Sequence, residues 1–559
     1  MIIFDLEKDV KNINDVFYLR SKLSPDDVAY NYLNQKITFK KVYENAKLLA
    51  AYLQSEGCVK GDKIAIILPN VIAYPIVVIA VFMIGATCVN LNPLYSENEL
   101  TEIINDCAPK IIFCWIDMVY KLKLVDHLVK NVITVMPGDF LGLKGSLINF
   151  FYRIHRMKRK NDVKFQHVRL TDCMKKANRL SPVQPVEVDL SDLALLLYTS
   201  GTTGECKGVP LTHCNLIAAT RGAYTAILEF LKHILTKQEI RTLMGLPFYH
   251  ILGFSFILIN CYVIGAVGIL IPDPRNIKSL INTVNKTKPA VFPGVNTLFQ
   301  KLLANENFRK LDFSFCLCAI SGGMALNDKV RKDWKLVTNT EIFEGYGMSE
   351  TTGLISCQRP ILHEDNDKFS LSIEEQQISS VGKIIPNCSV KIIPIQDKIE
   401  YTNNENAPIS SKEIGEICVK GPIVTKEYRT KSDKKNYYTE DGYFRTGDIG
   451  YLNDDILYLQ GRIKNIVIIS GFNVYPAEIE KVVRNCPKVN DCVVIGKTDK
   501  NNIEYLYMLV EKDIDANLTE QEVKQYCADN LAPYKRPKVI EITVSLPRTP
   551  IGKVSLSDL

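Results

Sequence analysis

The chain has 559 residues, 47% of them hydrophobic and 23% charged, with a formal net charge of +6. That balance excludes a disordered chain, and so mild a charge gives no sign of a nucleic-acid partner. The 16 cysteines are scattered without a Cys-x-x-Cys pair, which excludes a disulfide framework or zinc ribbon and fits a reduced, cytoplasmic setting. Length alone suggests three or four domains.

The start, Met1-Ile-Ile-Phe-Asp-Leu-Glu-Lys-Asp9, carries charge too early for a signal peptide. Ile37-Thr38-Phe39 reads as a strand end. Val42, Ala46, Leu49, Ala50 and Leu53 then form one stripe of a helix over Lys41–Glu56. From Ile64 to Tyr95 there is no charged side chain, which matches the length of a membrane span. Pro69, Asn70, Pro75, Gly85 and Pro93 interrupt it, so it reads as core: a strand at Ile64–Leu68, a buried helix at Ala73–Ile84 and a strand at Ala86–Leu91. Strands alternating with helices from Lys63 onward predict an α/β domain with a mostly parallel sheet. Residues 141–160 run from apolar and aromatic side chains into a basic cluster. Both a solvated surface excursion and a membrane-surface helix fit them, and the first is the commoner fate of charge runs.

Leu195-Leu-Leu-Tyr-Thr-Ser-Gly-Thr-Thr-Gly-Glu-Cys-Lys-Gly-Val209 reads as a strand entering a phosphate-holding loop. Thr199, Ser200, Thr202 and Thr203 offer hydroxyls, Gly201, Gly204 and Gly208 allow backbone to approach an anion, and Lys207 adds a point charge. Val209-Pro-Leu-Thr-His-Cys-Asn215 reads as a second strand. Lys207 is followed by Gly208, so the spacing is not that of a P-loop NTPase.

His250 stands alone in Leu246-Pro-Phe-Tyr-His-Ile-Leu-Gly253, and a lone histidine there is more often a core residue. Cys316 and Cys318 read as neighbours on one face of a strand. Ser321-Gly-Gly323 and Phe343-Glu-Gly-Tyr-Gly-Met-Ser-Glu350 suggest strand ends where backbone meets a ligand, with Tyr346 placed to stack on a flat ring. Ser349 and Glu350 beside a phosphate loop supply hard oxygens of the kind Mg²⁺ takes. Thr402–Ser411 is polar and loop-like. Asp448 in Tyr443-Phe-Arg-Thr-Gly-Asp448 is either a ribose acceptor or an Asx turn. After Gly461-Arg-Ile-Lys-Asn465 comes a strand at Ile466–Ile469, and Ser470–Glu480 opens a helix. Strands at Cys492–Ile495 and Tyr505–Val510 and a helix at Thr519–Asn530 complete a small α+β unit.

Taken together and in this order, the motifs resemble the adenylate-forming superfamily: acyl-CoA synthetases, luciferases and peptide-synthetase adenylation domains. The likeness runs from about residue 25 to 555. Thr199–Gly208 is similar to the family's phosphate loop, Tyr346-Gly-Met-Ser-Glu350 to its Tyr-Gly-x-Thr-Glu signature, and Arg445-Thr-Gly-Asp448 to its ribose motif. Gly461-Arg-Ile-Lys464 is similar to its hinge and Pro550-Ile-Gly-Lys553 to its catalytic-lysine motif. Val89–Tyr95, Gly294–Phe299 and Ser470–Pro476 narrow the likeness to bacterial long-chain fatty acid–CoA ligases.

The resemblance implies a large α/β N-terminal domain over 1–463, with parallel sheets, helices and a small β-barrel-like part. A small mobile α+β domain over 464–559 would follow. It implies that a fatty acid, ATP with Mg²⁺, and coenzyme A are bound, giving acyl-AMP and then acyl-CoA. Thr199 and Glu350 are its metal-side positions. Asp448 and Arg462 would hold the ribose, and Gly322, Gly323, Glu344, Gly345 and Tyr346 would surround the adenine. Lys553 would bridge carboxylate and α-phosphate, and His250 would gate the acyl pocket. Rotation about Lys464 would bring Ser470, Gly471 and Phe472 to the site for the CoA half-reaction.

Cys206 stands where proline is common, Ser349 where threonine is, Glu427-Tyr428 where Gly-Tyr is, and Ile551 where serine is. The usual basic residues after Lys553 are replaced by Val-Ser-Leu-Ser-Asp-Leu559, which weakens the expected anchoring of Lys553. Medium-chain or aromatic-acid ligases and a carrier-loading fatty acyl-AMP ligase stay as alternatives, as does a degenerate nucleotide- or lipid-binding scaffold. The last is disfavoured because Lys207, Glu350, Asp448, Arg462 and Lys553 are all kept. A cytoplasmic location is expected, with peripheral contact at the inner face of an anionic membrane allowed. Oligomeric state is open, a homodimer included.

Overall fold

The computed structural model describes all residues except 1–5, 7, 126–130, 158–166, 201–205, 229–233, 235–238, 366–367, 396–413, 428–436, 470–471, 499–503, 514–515 and 550–551. Its centre is the helix Ala73–Met83, which has no polar face. Every residue from Ala73 to Phe82 is buried, as expected of a helix that is apolar all round. The uncharged stretch from Ile64 to Tyr95 is therefore core. Among the described residues no helix is long and apolar enough to cross a membrane.

A first sheet orders its strands Val168–Arg169, Val132–Val135, Ile111–Trp115, Lys63–Ile67, Thr87–Asn90, Leu193–Ser200 and Cys206–Thr212. All neighbours are parallel except the last pair, which runs antiparallel with Ser200 opposite Cys206. The loop expected to hold phosphate thus does join two strands, while Gly201, Thr202, Thr203 and Gly204 lie outside the described residues. The second strand stops at Thr212, whose side chain caps the helix His213–Ala223. The short buried strands carry near-continuous apolar runs, as a sheet covered on both faces requires.

A second, 13-stranded sheet holds a parallel series of Val267–Leu270, Arg241–Met244, Val291–Gly294, Cys318–Gly322 and Glu341–Met348. From Gly353–Cys357 it turns antiparallel and runs on through Lys383–Ile384, Ile456–Arg462, Phe444–Asn453, Gly415–Lys420 and Ser389–Pro394. The part expected to be barrel-like is this antiparallel extension, joined edge to edge with the parallel strands. Cys316 does not share a strand face with Cys318: it precedes the strand, in the turn closed by its N–H on the Phe313 carbonyl. Trp334 anchors the outer layer, fully buried among the rings of Phe292, Phe299 and Phe308.

The last part has its own core, in which Val474, Ile479, Val489, Met508, Val510 and Val523 are buried together. Val489–Thr498 and Glu504–Lys512 form a hairpin, and Val539–Thr543 adds a parallel third strand that periodicity did not disclose. The helices Pro476–Val483 and Glu520–Asn530 pack against it.

His213 sits deep in the large domain, 1% exposed, its ring edge-on to Phe82. Burial pushes it from 6.5 down to about 4. Below pH 6.5 the unfolded chain takes up a proton that the folded chain refuses, so stability falls as pH drops toward 4. A displacement of that size corresponds to roughly 3 kcal/mol. His213→Leu is expected to lessen the loss of denaturation midpoint between neutral and acid pH, measured by urea unfolding. An unchanged loss would assign the acid sensitivity to other groups.

Candidate active site

The carboxyl ends of parallel strands in both sheets face one cavity of about 2070 Å³, lined on its far side by the small domain. Asn90 and Thr199 come from the first sheet, Gly322 and Met348 from the second. Ligands in open α/β sheets bind at this end of the strands. The cavity brings together Thr199, Lys207, His250, Gly322 and Gly323 with Glu344, Gly345, Tyr346, Ser349 and Glu350. Asp448, Arg462, Lys464 and Lys553 line it too. Ser200 ends its strand, and Phe472 begins the short strand Phe472–Val474. Their side chains, with all of Ser470 and Gly471, lie outside what the structure describes.

Asp448 and Arg462 face each other across adjacent antiparallel strands. Arg462 Nε lies 2.8 Å from Asp448 Oδ1, and the Tyr346 hydroxyl donates to Asp448 Oδ2 at 2.7 Å. The backbone N–H of Asp448 donates to Thr446 Oγ1 at 3.0 Å, and the Thr446 hydroxyl donates to the Ile417 carbonyl. The carboxylate is thus held from two other strands, by Arg462 and Tyr346, beyond the local turn with Thr446. Tyr346 carries two functions: its hydroxyl orients Asp448 while its ring forms cavity wall. Glu344 is held from behind, with Arg331 Nη2 at 2.9 Å and the Leu326 N–H donating at 3.0 Å. Arg331 gave no signal in the sequence, lying in an ordinary polar helix 13 residues away.

Lys553 is half-buried. Burial first and Arg462 second hold its ammonium below the usual lysine range, while Asp448 and Glu350 oppose the shift. His250 is pushed down to about 4, by burial first and then by the charge of Lys553. Those mutual effects place Lys553, His250, Arg462, Asp448 and Glu350 in one electrostatic neighbourhood. Lys553 reaches it on a tight turn: its N–H donates to Thr549 Oγ1 at 3.2 Å, and the Gly552 N–H to the Thr549 carbonyl at 2.8 Å. Gly552 has φ +87°, and a Cβ there would lie 2.6 Å from Thr297 Oγ1 of the large domain. A glycine before the lysine is therefore needed both for the turn and for the domain contact. The turn is anchored by Arg548, whose Nη2 lies 2.9 Å from Asp491 and 3.1 Å from Glu511. This internal ion pair supplies anchoring that the sequence alone did not reveal.

Lys207 donates to the Tyr437 hydroxyl at 2.9 Å and sits 5.3 Å from the centre of its ring. Tyr437 lines the cavity and was not singled out from the sequence, although the Tyr437-Tyr438 doublet precedes the Asp448 motif. Glu350, itself buried, lines the same cavity as Thr199 and Ser349. Few hard-oxygen donors on one cavity wall fit Mg²⁺, which takes its remaining ligands from phosphate and water.

The sequence model of the AMP-binding enzyme family matches residues 17–429, and that of its C-terminal domain matches 478–553. The chain belongs to the AMP-binding enzyme family. It is 34% identical to a long-chain-fatty-acid–CoA ligase of Haemophilus influenzae, over 97% of this chain and 93% of that one. It is 32% identical to the Escherichia coli O157:H7 enzyme of the same name, over 98% and 94%, and 30% to that of Bacillus subtilis, over 95% and 90%. In fold it resembles an anthranilate CoA ligase in complex with anthranoyl-AMP, with a TM-score of 0.80 at 19% identity over 99% of this chain and 97% of that one. ATP-bound MatB of Rhodopseudomonas palustris superposes with a TM-score of 0.75 at 24% identity, over 98% of each chain.

If the Tyr346 ring carries a base and its hydroxyl only steadies Asp448, two substitutions separate the roles. Tyr346→Ala is expected to cost about 1–3 kcal/mol of AMP affinity, and Tyr346→Phe about 1 kcal/mol or less. Isothermal titration with AMP measures both, and equal losses would assign the affinity to the hydroxyl.

Proposed function

We propose that this protein activates a long-chain fatty acid with ATP and passes the acyl group to coenzyme A. A carboxylate oxygen attacks the α-phosphorus and pyrophosphate leaves. The CoA sulfur then attacks the acyl carbon and AMP leaves. Relatives of 30–34% identity that carry the name long-chain-fatty-acid–CoA ligase along nearly their whole length support this reading. The observation that carries the chain length is the apolar part of the cavity. Leu252, Phe256, Ile257, Cys261 and Ile264 line it along one continuous helical run. Apolar side chains along the whole of that run suit a long apolar substrate.

Lys553, half-buried at the cavity wall, meets the negative charge that builds between carboxylate and α-phosphate. Such preorganised electrostatics supplies ~10²–10³ in rate. Lys207 and the strand ends around Thr199 take the outer phosphates, Asp448 and Arg462 the ribose, and Tyr346 the base. Glu350, Thr199 and Ser349 would hold Mg²⁺, which supplies charge neutralisation of the phosphates. His250 is neutral at physiological pH, so it borders the reacting carboxylate without adding a further cation. Positioning accounts for the second half-reaction. The described cysteines are free thiols, in keeping with a reducing cytoplasm.

The decisive measurement is CoA-dependent AMP release across fatty acids from short to long, with a maximum expected for long chains. A maximum at acetate or at benzoate-like acids would overturn the assignment. Lys553→Ala should lower acyl-AMP formation by ~10²–10³ while ATP still binds, and acyl-AMP made at the wild-type rate would remove Lys553 from the mechanism. Ile264→Trp, filling the far end of the apolar run, should move the optimum to shorter acids.

A further inference from the structure

The helix Gly142–Met157 is attached to the large domain by its polar side. At Gly145 a Cβ would lie 1.9 Å from the Gly138 carbonyl oxygen, so the backbones touch. Asn149, 6% exposed, accepts from the Gly138 N–H at 2.7 Å and donates to Asp139 Oδ1 at 2.8 Å. Tyr152 donates to Asp117 and meets Trp115 edge-on. The opposite side carries Leu143, Leu147, Phe150, Phe151 and Ile154, all exposed, with Leu143 at 92% and Phe151 at 60%. Their spacing puts them on one stripe. A helix serving the core of its own domain would be turned the other way, and a contiguous apolar face in water marks an interaction surface. Lys144 and Arg153 are exposed beside it, and no acidic side chain occurs between Lys144 and Lys160.

We propose that this face docks on a bilayer carrying anionic phospholipid, with the leucines and phenylalanines at the headgroup–acyl boundary and Lys144 and Arg153 on the phosphates. An apolar stripe flanked by cations alone fits such a surface. A second copy of the chain fits less well, because the same cations would face one another across a two-fold axis. The docked helix is connected to the cavity through a short chain of contacts. Asp117 lies in the segment Ile116–Val125, whose Lys121 donates to the carbonyls of Pro93 and Tyr95, and Tyr95 lines the cavity. The docking stands without the acyl-CoA ligase reading; its use, delivery of a membrane-dissolved acid, rests on it.

Cosedimentation of the full chain with vesicles tests this without turnover. Binding to mixed phosphatidylcholine–phosphatidylglycerol vesicles should exceed binding to phosphatidylcholine alone by about tenfold or more. Phe150→Glu with Phe151→Glu, and separately Lys144→Glu with Arg153→Glu, should each weaken it by about tenfold while AMP affinity and thermal midpoint stay those of the wild type. On the unaltered protein, about 1 M salt, where the screening length is ~3 Å, should release it from the mixed vesicles. Undiminished binding by both double variants, or binding indifferent to salt and to phosphatidylglycerol, would overturn the proposal. So would a wild-type dimer in ultracentrifugation that the phenylalanine variant splits, since a second copy would then cover the face.

Discussion

The cavity depends on holding a half-buried lysine ammonium near an arginine. Lys553 is partly desolvated there, and the like charge of Arg462, itself about half exposed, adds to the cost of keeping it charged without a counter-charge. Asp448 and Glu350 offset part of that cost. The cleft is therefore matched to an anionic ligand and to the charge that builds during its reaction, which is the condition for catalysis by preorganisation. Burial first, and the charge of Lys553 second, keep His250 neutral.

Holding Lys553 in place takes elements distant in sequence. The turn at Thr549–Lys553 is local, but its base is set by Arg548 between Asp491 and Glu511, and its tip rests on Thr297. Asp448 likewise joins the strand Phe444–Asn453 to Arg462 on the next strand and to Tyr346 on the parallel sheet. The small domain meets the large one through polar contacts such as Lys329 to Asp513 and Gln300 to the Asn490 carbonyl. Interfaces of that kind separate more readily than apolar ones.

Cavity-lining residues were legible because their chemistry is unusual where they stand: glycines at strand ends, a hydroxyl entering a loop, a lysine after a glycine. Residues that hold them were not. Arg331, Thr446, Tyr437 and Arg548 have ordinary surroundings in the chain and gain meaning only from partners brought beside them by folding. Sheet continuity was hidden for a similar reason. The alternation of strands and helices predicts parallel pairing, but nothing in a strand's own sequence says that Gly353–Cys357 continues the parallel sheet in the opposite sense. The helix Gly142–Met157 shows the limit of amphipathic reasoning, because periodicity finds a stripe and does not say which side faces the protein. Gly145 and Asn149 decide that, through contacts to Gly138 and Asp139.

The helix Ala73–Met83 has a further consequence for how the protein is made. The Tyr74 hydroxyl is satisfied by the Phe248 carbonyl, 174 residues later in the chain, and Phe82 packs against Phe254. Until those residues leave the ribosome, an entirely apolar helix lacks part of its cover. At 5–20 residues per second that interval lasts roughly 10–35 s, long compared with the time in which a collapsed chain aggregates. The nascent chain must pass that interval in the care of a chaperone or with the helix folded into the first sheet alone, so the order of synthesis, as much as final stability, governs the yield of folded protein.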